Sequence, residues 1–223
     1  MNAATELLTI DGPAGPIDVA FDPPQGPARA AAVIAHPHPL YGGTRDNKVV
    51  QTIARGLLAR GVACWRPNFR GVGGSAGAHD EGRGETDDLI AVVEAALAHG
   101  SVAALASPPL LLAGFSFGAF VQARVAERLA ARGRAPARML LVAPAVSRFE
   151  VGRVPPGTLV IHGDEDDVVP MSAVLAWAKP QQLPVMVLPG NGHFFHGCLP
   201  VLRRIVQDAA TVALAGPAGA GAD

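Results

Sequence analysis

Short, continuously apolar runs alternate along the chain with segments of helical periodicity. The runs that follow the first thirty or so residues predict strands that are covered on both faces of a sheet. They are Ala31–Ala35, Ala63–Asn68, Leu110–Gly114, Met139–Val142, Thr158–Ile161 and Val185–Leu188. Upstream, Leu7–Ile10 and Ile17–Phe21 flank glycines and prolines, and this pattern predicts an N-terminal antiparallel hairpin.

Three segments between these runs place apolar residues at the spacing of one helix face. The first ends before Gly61, a predicted C-cap, and the second starts at Thr86, a predicted N-cap. The third begins at Phe117 and ends near Gly133. Because strands and helices alternate, we expect parallel strands joined by right-handed crossovers. The fold class is therefore α/β, a doubly wound, mostly parallel sheet of about eight strands with helices on both faces.

Length and composition fit one globular domain. The chain has 223 residues, of which 49% are hydrophobic and 17% charged, enough to bury a substantial core. We assign residues 1–214 to a single domain and Ala215–Asp223, rich in glycine and alanine, to a flexible tail. The formal net charge of −1 gives no electrostatic reason to expect nucleic acid or an anionic membrane as partner.

No targeting or membrane segment is predicted, and the protein is expected in the cytoplasm. Met1–Ile10 lacks a positive n-region and a long apolar stretch, and no apolar run approaches the roughly 20 residues that span a bilayer. The two cysteines, Cys64 and Cys198, fit buried, reduced thiols. Cys198 is close in sequence to His193 and His196, so a Cys–His nucleophilic pair is an alternative to be weighed.

The strongest motif in the chain is Gly-Phe-Ser-Phe-Gly, centred on Ser116, between a predicted strand and a predicted helix. A Gly-x-Ser-x-Gly sequence in this context is typical of a nucleophile elbow. The turn is strained, and its glycines remove Cβ atoms that would clash. The serine hydroxyl is then exposed at the positive end of a helix, a context that Cys198 lacks. A turn with a purely structural role is the alternative.

A serine nucleophile needs a base, and the base needs a partner that fixes its tautomer. Two later loops supply both types of residue, and each follows a predicted strand. The first contains four acidic residues, among them Asp166, and the second contains His193 and His196. Because the carboxyl ends of parallel strands meet at one edge of a sheet, we expect these loops to approach Ser116.

The two loops resemble the acid and base loops of the α/β-hydrolase superfamily, through His-Gly-x-x-Asp-x-x-Val-Pro followed by Gly-x-x-His. The resemblance implies that Asp166 is the acid and His193 the base. Asp164, which could instead cap a turn, is the rival acid, and His196 is the rival base. His162 precedes a tight glycine turn and is read as structural.

The resemblance also implies an oxyanion hole made of two backbone N–H groups. One comes from the residue after the nucleophile, here Phe117. The other comes from the loop after Ala31–Ala35, which reads His-Pro-His-Pro. Since proline has no N–H, His38 is the nearest donor, with Leu40 and Tyr41 as alternatives. Such donors are typically worth about 3–4 kcal/mol each in the transition state.

The resemblance spans about Leu8 to Val212 and is to a compact, lidless bacterial group similar to dienelactone hydrolases and small carboxylesterases. It rests on His-Pro…Gly-Gly-Thr…Asn-Lys-Val-Val, Asn-Phe-Arg-Gly-Val-Gly, Gly-Phe-Ser-Phe-Gly-Ala and His-Phe-Phe-His. Ser116 stands where dienelactone hydrolases have cysteine, which disfavours that substrate class. The segment Ala143–Gly157 is too short for a helical lid.

Without a lid, the expected pocket is open, shallow and mostly apolar, which suits an acyl group and discriminates weakly between chain lengths. Its predicted border consists of Leu40, Tyr41, Phe117, Val168 and Phe194. Phe115 and Phe195 are either further border residues or core residues.

A glycine-rich segment, Gly71-Val72-Gly73-Gly74-Ser75-Ala76, matches the dinucleotide-binding pattern but lacks its context. A dinucleotide fingerprint needs a helix that opens within the glycine turn, and here the helical pattern begins only near Thr86. The segment is therefore read as a scaffold loop. Arg70, just before it, is expected either to pair locally or to hold a substrate carboxylate.

The resulting prediction is a serine hydrolase that cleaves carboxylic esters or thioesters of short to medium acyl chains through an acyl-serine. It needs no metal or organic cofactor. Its expected partner is a small-molecule substrate, with a homodimer left open. Alternatives are an aminopeptidase- or amidase-like hydrolase, which would use Asp164 and Glu165 to bind an amine, and a non-catalytic binding protein.

Overall fold

A computed structural model describes residues 4–215 of the chain; the remainder of the predicted tail, 216–223, lies outside the described residues. The strands are β1 Glu6–Gly12, β2 Gly15–Asp22, β3 Ala30–Ala35, β4 Val62–Pro67, β5 Leu110–Phe115, β6 Arg138–Val142, β7 Leu159–Gly163 and β8 Val185–Leu188. The helices are α1 Lys48–Leu58, α2 Arg83–Ala98, α3 Gly100–Ala103, α4 Phe117–Ala130, α5 Met171–Ala178 and α6 Leu199–Leu214. Two short 3-10 turns cover Pro39–Tyr41 and Lys179–Gln181.

The eight strands form one sheet in the order β1-β2-β4-β3-β5-β6-β7-β8. β1 pairs antiparallel with β2, and β2 pairs antiparallel with β4. The other neighbours are parallel. The predicted hairpin, strand number and mostly parallel architecture are confirmed.

The central strands are apolar throughout because both faces of the sheet are covered. On β3 and β5, Val33 and Leu112 belong to a core cluster with α2 and α4, whereas Ile34 and Leu111 belong to a cluster with α1 and α6. Successive strand side chains point to opposite faces, so a continuous apolar run is what a strand between two helical layers requires. The carboxyl ends of these parallel strands then share one edge.

The start of α2 corrects the predicted N-cap. The helix begins at Arg83, after Gly82 in the left-handed conformation (φ 85°), so Thr86 lies inside the first turn and does not cap it. The carboxylate of Glu85 accepts hydrogen bonds from the backbone N–H groups of Gly82 and Asp80, at 2.9 and 2.8 Å. The bond to Gly82 is the one that the N3 glutamate makes in a capping box, and the N–H of Gly84 donates to the side chain of Asp80 at 3.0 Å, so no serine or threonine cap is needed.

The end of α1 is also displaced from the prediction. The C-cap is Ala59, and Gly61 takes the left-handed conformation (φ 80°) two residues later. Its N–H donates to the carbonyl oxygen of Leu58 at 3.0 Å. Glycine therefore closes the turn after the helix rather than the helix itself.

Strand β8 is not covered on both faces as its apolar sequence predicts. It is the edge strand of the sheet, paired with β7 alone. Met186 and Val187 are 40% and 41% exposed. The apolar run predicts the strand but not its place at the margin.

The connection between β6 and β7, residues 143–158, contains no helix, so the predicted absence of a lid is confirmed. In the described part of the chain, the helices all fall short of the length and apolar character that a membrane span requires.

Candidate active site

Ser116 sits in a sharp turn between β5 and α4. Its backbone has φ 56° and ψ −117°, a conformation that costs free energy for a residue with a side chain. Its N–H donates to the carbonyl oxygen of Val142 at 3.0 Å, which ties the turn to β6.

The glycines on either side of Ser116 permit close backbone approaches. A Cβ atom at Gly114 would lie 2.4 Å from the carbonyl oxygen of Gly118, and one at Gly118 would lie 2.4 Å from that of Ala35. Both positions need glycine because backbone, which cannot rotate away, occupies the space. The strand–turn–helix context expected for the elbow is present.

The acid loop after β7 holds Asp166 by its own backbone. One carboxylate oxygen, Oδ1, accepts from the N–H groups of Val168 and Val169 at 2.9 and 2.7 Å. The other, Oδ2, faces His193 Nδ1 at 2.7 Å. The side chain is fully shielded from solvent, so its orientation is set within the protein.

His193, in the loop after β8, lies between the carboxylate and the serine. Its Nε2 is 3.0 Å from Ser116 Oγ, and its ring packs against Phe115 and Phe194 at centroid distances of 5.0 and 5.2 Å. Because an ionised carboxylate only accepts hydrogen bonds, Nδ1 carries the proton and Nε2 is free to accept one. The structure thus brings the predicted nucleophile, base and acid into one hydrogen-bonded series.

The acid and base loops are bonded to each other. The N–H of Glu165 donates to the carbonyl oxygen of Asn191 at 3.1 Å, and the N–H of Gly190 donates to Asp164 Oδ1 at 2.7 Å. A Cβ atom at Gly163 would lie only 2.0 Å from the Asn191 carbonyl oxygen. Asp164, the rival acid, thus bonds to the other loop, and the histidine pairs with Asp166.

Two opposing effects act on the pKa of Asp166. Burial opposes ionisation, but the hydrogen bonds from His193, Val169 and Val168 outweigh it, so the pKa of the carboxyl lies below its usual range. The group that faces the histidine is therefore ionised at neutral pH. His162, buried behind it with Nε2 2.9 Å from the carbonyl oxygen of Val169, has its pKa lowered by burial.

His36 is a supporting residue that the sequence analysis missed. Its Nε2 accepts from the N–H of Phe69 at 2.9 Å, and its Nδ1 donates to the carbonyl oxygen of Pro37 at 2.6 Å. Burial lowers the pKa of His36 to about 4. A neutral imidazole thus joins the loop after β4 to the loop after β3. The sequence signal was a histidine directly after a buried strand, before proline.

The two residues predicted to supply the oxyanion hole, His38 and Phe117, line the same cleft as Ser116. Phe117 is the first residue of α4, where N–H groups have no partner within the helix, and the ring of His38 packs on that of Phe117 at 4.8 Å. The alternative donors are occupied: the N–H of Leu40 donates to His38 Nδ1 and that of Tyr41 to the His38 carbonyl oxygen. This leaves His38 as the better placed of the three.

A cleft of about 450 Å³ opens above Ser116. Four of the five predicted border residues, Tyr41, Phe117, Val168 and Phe194, line it. Leu40 does not, because the 3-10 turn presents its side chain to solvent, 69% exposed. The other lining residues are Pro37, His38, Gly42, Gly43, Asn47, Ser116, Ala145, Arg148, Phe149, Val169 and His193.

Asn47, Arg148 and Phe149 are cleft residues that the sequence does not predict. Arg148 and Phe149 belong to the β6–β7 connection, where no periodic pattern or motif marks them. Phe115 and Phe195, left open between border and core, are fully buried core residues.

Arg70 has a structural role. Its Nε and NH2 groups bind both carboxylate oxygens of Asp88 at 2.8 Å, and NH2 also donates to the carbonyl oxygen of Gly84. The guanidinium is therefore engaged and does not line the cleft. The glycine-rich segment after it is a loop, and the next helix begins only at Arg83. No helix therefore opens within the glycine turn, as a dinucleotide-binding site would need.

Neither cysteine is paired, and Cys64 is buried. Cys198 packs beside the core cluster of α1 and α6, and the histidine at the site faces Ser116. In residues 4–215, no three His, Cys, Asp or Glu side chains are grouped so as to hold a metal ion.

A serine, a histidine and a carboxylate in hydrogen-bonded series, on the carboxyl edge of a mostly parallel sheet, define the arrangement of α/β serine hydrolases. Comparisons with known proteins agree. The crystal structure of XC6422 from Xanthomonas campestris, described as an α/β serine hydrolase without lid, is 38% identical, with a TM-score of 0.85 and 98% of each chain covered. An α/β serine hydrolase homologue from Coxiella burnetii is 39% identical, with a TM-score of 0.80, over 91% of this chain and 96% of that one.

Among curated proteins, the uncharacterized protein RP471 of Rickettsia prowazekii (strain Madrid E) is 33% identical over 214 residues, 90% of this chain and 87% of that one. No protein-family model matches the chain. The chain belongs to the lidless α/β serine hydrolases, a group within the α/β-hydrolase superfamily.

Proposed function

We propose that the protein hydrolyses carboxylic esters or thioesters of short to medium acyl chains, with Ser116 as nucleophile, His193 as base and Asp166 as acid. The single observation that carries this proposal is the pair of contacts on His193. Nδ1 lies 2.7 Å from Asp166 Oδ2, and Nε2 lies 3.0 Å from Ser116 Oγ. Both distances are within hydrogen-bond range without any loop movement.

In the first half-reaction, Ser116 Oγ attacks the carbonyl carbon while its proton passes to His193 Nε2. The carboxylate of Asp166 stabilises the imidazolium that forms. The tetrahedral intermediate collapses to an acyl-serine, and the leaving alcohol or thiol takes the proton from Nε2. In the second half-reaction, water loses a proton to Nε2 and attacks the acyl carbon. The bond between that carbon and Oγ then breaks, the acid is released, and the proton passes from Nε2 to Oγ to restore the serine hydroxyl.

The N–H groups of Phe117 and His38 are proposed to bind the oxygen that becomes negatively charged. Two features favour these donors: the first turn of α4 has unpaired N–H groups that point to its N-terminal end, and the N–H groups of Leu40 and Tyr41 already have partners. Donors fixed in backbone need no rearrangement when the charge develops.

The shape of the cleft supports an acyl substrate. Its walls include the apolar side chains of Phe117, Phe149, Val168 and Phe194, and no lid encloses it. The aminopeptidase alternative has no comparable support. Asp164 is bonded to the neighbouring loop, and neither it nor Glu165 lines the cleft, so the acidic residues that were to bind an amine are absent from it.

The test is the substitution Ser116→Ala, assayed with p-nitrophenyl acetate and butyrate. We expect folding to be retained and hydrolysis to fall at least 10³-fold, since the residual rate would come from binding and oxyanion donors alone. Ser147→Ala is the matched control, because Ser147 lies on the exposed β6–β7 connection and should keep wild-type activity. Full activity in Ser116→Ala would refute the assignment.

A fluorophosphonate probe separates the catalytic proposal from the alternative of a binding protein. Labelling of the wild type but not of Ser116→Ala supports an activated serine. A wild-type protein that stays unlabelled, with no hydrolysis of any ester, thioester or aminoacyl-anilide, would favour the binding protein. Faster turnover of aminoacyl-anilides than of esters would favour the amidase.

The cytoplasmic location and the homodimer remain proposals. The location rests on the two unpaired cysteines of the chain, which fit a reducing compartment. Sedimentation of the purified protein would test the dimer.

A further inference from the structure

The polar side chains at the entrance to the cleft share one chemical property. Tyr41, Asn47 and Arg148 can all donate hydrogen bonds, and none of the residues that line the cleft is an aspartate or glutamate. The amide of Asn47 is oriented by its own backbone: Oδ1 accepts from the N–H of Val49 at 2.9 Å. Its NH2 group is left without a partner in residues 4–215, so the cleft offers donors and no competing carboxylate.

Arg148 is the only arginine or lysine among the cleft residues. Its guanidinium makes no ion pair and no hydrogen bond within the described chain, although Arg66, Arg70 and Arg134 each bind a carboxylate. A solvated guanidinium beside a cleft is available to a ligand, because no bond within the protein has to break first.

Backbone contacts connect Arg148 to Ser116 through a single turn that begins at Ala145. The N–H of Ala145 lies 3.4 Å from the carbonyl oxygen of Ser116, and the N–H of Arg148 donates to the carbonyl oxygen of Ala145 at 3.1 Å. The next residue, Phe149, anchors this turn by stacking on Phe120, with ring centroids 4.8 Å apart. The guanidinium therefore extends from a fixed base beside the reacting serine.

Within residues 4–215 no acidic residue forms an ion pair with Arg148, and Glu150, two positions further along the connection, is exposed to solvent. Glu85 is fully buried and accepts from two backbone N–H groups, and His79 Nδ1 lies 2.9 Å from it. Glu81 lies 3.5 Å from the other nitrogen of His79. Both carboxylates lie beside His79, and neither forms an ion pair with Arg148.

We propose that Arg148 binds an anionic group of the substrate, so that the protein favours anionic esters or thioesters over neutral ones of similar size. This inference rests on the proposed hydrolase function. The anionic group is a carboxylate or a phosphate, which a guanidinium binds through two parallel hydrogen bonds. It could belong to the acyl group, as in a monoester of a dicarboxylic acid, or to the leaving group, as in a thioester of a phosphorylated thiol. The donors of Asn47 and Tyr41 would add to the same site.

Two matched pairs of substrates distinguish these sources. For the acyl side, mono-p-nitrophenyl glutarate is compared with p-nitrophenyl butyrate. For the leaving-group side, butyryl-4′-phosphopantetheine is compared with butyryl-pantetheine, which lacks only the phosphate. We expect the wild type to prefer the anionic member of at least one pair, and the preference to shrink as salt is raised.

The variant that tests the proposal is Arg148→Gln, with Arg153→Gln as the matched control. Arg153 lies on the same β6–β7 connection, is exposed and does not line the cleft. Arg148→Gln should lower the preference in kcat/KM for the anionic substrate about five- to tenfold, the effect of one partly exposed charged hydrogen bond. The change should lie in KM with kcat unaltered, since the contact is the same in ground and transition states. Arg153→Gln should keep the wild-type preference.

A binding measurement keeps this inference separate from the proposed function. In the Ser116→Ala background, calorimetry with mono-p-nitrophenyl glutarate and with 4′-phosphopantetheine should give weaker binding of at least one of them when Arg148→Gln is added. If neither the kinetic preference nor the binding changes, this inference is overturned, whereas hydrolysis of neutral esters and labelling of Ser116 would still support the function. If the wild-type protein were neither labelled nor able to turn over any substrate, the proposed function would be overturned, and the binding measurement would still decide whether Arg148 binds the anion.

Discussion

Replacement of Asp166 by asparagine tests whether the carboxylate sets the tautomer of His193. In the structure, Oδ1 of Asp166 is held by the N–H groups of Val168 and Val169, and Oδ2 faces His193 Nδ1. In Asp166→Asn the amide oxygen is the atom that can accept from those two N–H groups. The NH2 group must then point to Nδ1, which can accept its hydrogen bond only when unprotonated.

The proton of the neutral imidazole is thereby moved to Nε2, the atom that faces Ser116 Oγ at 3.0 Å. A protonated Nε2 donates to the serine oxygen and cannot remove its proton. Because the shape of the side chain is nearly unchanged, geometry is kept while the base is lost. We expect kcat for p-nitrophenyl butyrate to fall about 10³- to 10⁴-fold.

The control is Asp167→Asn, an exposed neighbour on the same loop that should keep its activity within about twofold. Thermal unfolding of both variants shows whether the fold survives, and the rate of fluorophosphonate labelling reports the serine directly. If Asp166→Asn kept more than about a tenth of the wild-type kcat while folded, the carboxylate would not be needed to orient the histidine, and the role proposed for it would be wrong.

Two further predictions concern the scaffold. Gly118→Ala places a methyl group 2.4 Å from the carbonyl oxygen of Ala35, so we expect the free energy of unfolding in urea to fall by roughly 3 kcal/mol or more, or the protein to be insoluble. The control is Gly152→Ala, which has open space around it and should change the free energy of unfolding by less than about 0.5 kcal/mol. Equal effects of the two substitutions would contradict the reasoning. Burial lowers the pKa of His36 from 6.5 to about 4. Between these pH values the unfolded chain binds a proton on His36 and the folded protein does not. The free energy of unfolding should therefore fall by about 3 kcal/mol as pH drops from 6.5 to 4. His36→Gln should lose most of that slope, and His38 and His162, whose pKa values burial also lowers, should supply the remainder. A slope as steep as that of the wild type would remove His36 as its cause.

The features that could be predicted from the sequence are those set by neighbouring residues. The elbow at Ser116 depends on glycines within two positions, and the strands depend on runs too short and too apolar for surface helices. Asp166 and His193 could be predicted for two reasons. Parallel strands bring their carboxyl ends to one edge of the sheet, and the family resemblance favours these two residues over Asp164 and His196.

The features that the sequence did not reveal depend on contacts or positions that no simple sequence pattern marks. The N-terminus of α2 was misplaced because Glu85 binds the backbone of Asp80 and Gly82, so no serine or threonine marks the start. The exposure of β8 follows from its position at the edge, which an apolar run does not encode. Arg148 is a cleft residue only because the β6–β7 connection passes over the serine.

The bonds between the loops of Asp166 and His193 have a consequence for how selectivity can change. Joined through Asn191 and Asp164, these loops form one preassembled block that carries the proposed acid and base, while the opposite wall of the cleft comes from the segments after β3 and β6. Replacing side chains on that wall leaves the block undisturbed. The part of the wall that carries Tyr41 and Arg148 can therefore change to suit a new substrate without altering the loops of Asp166 and His193.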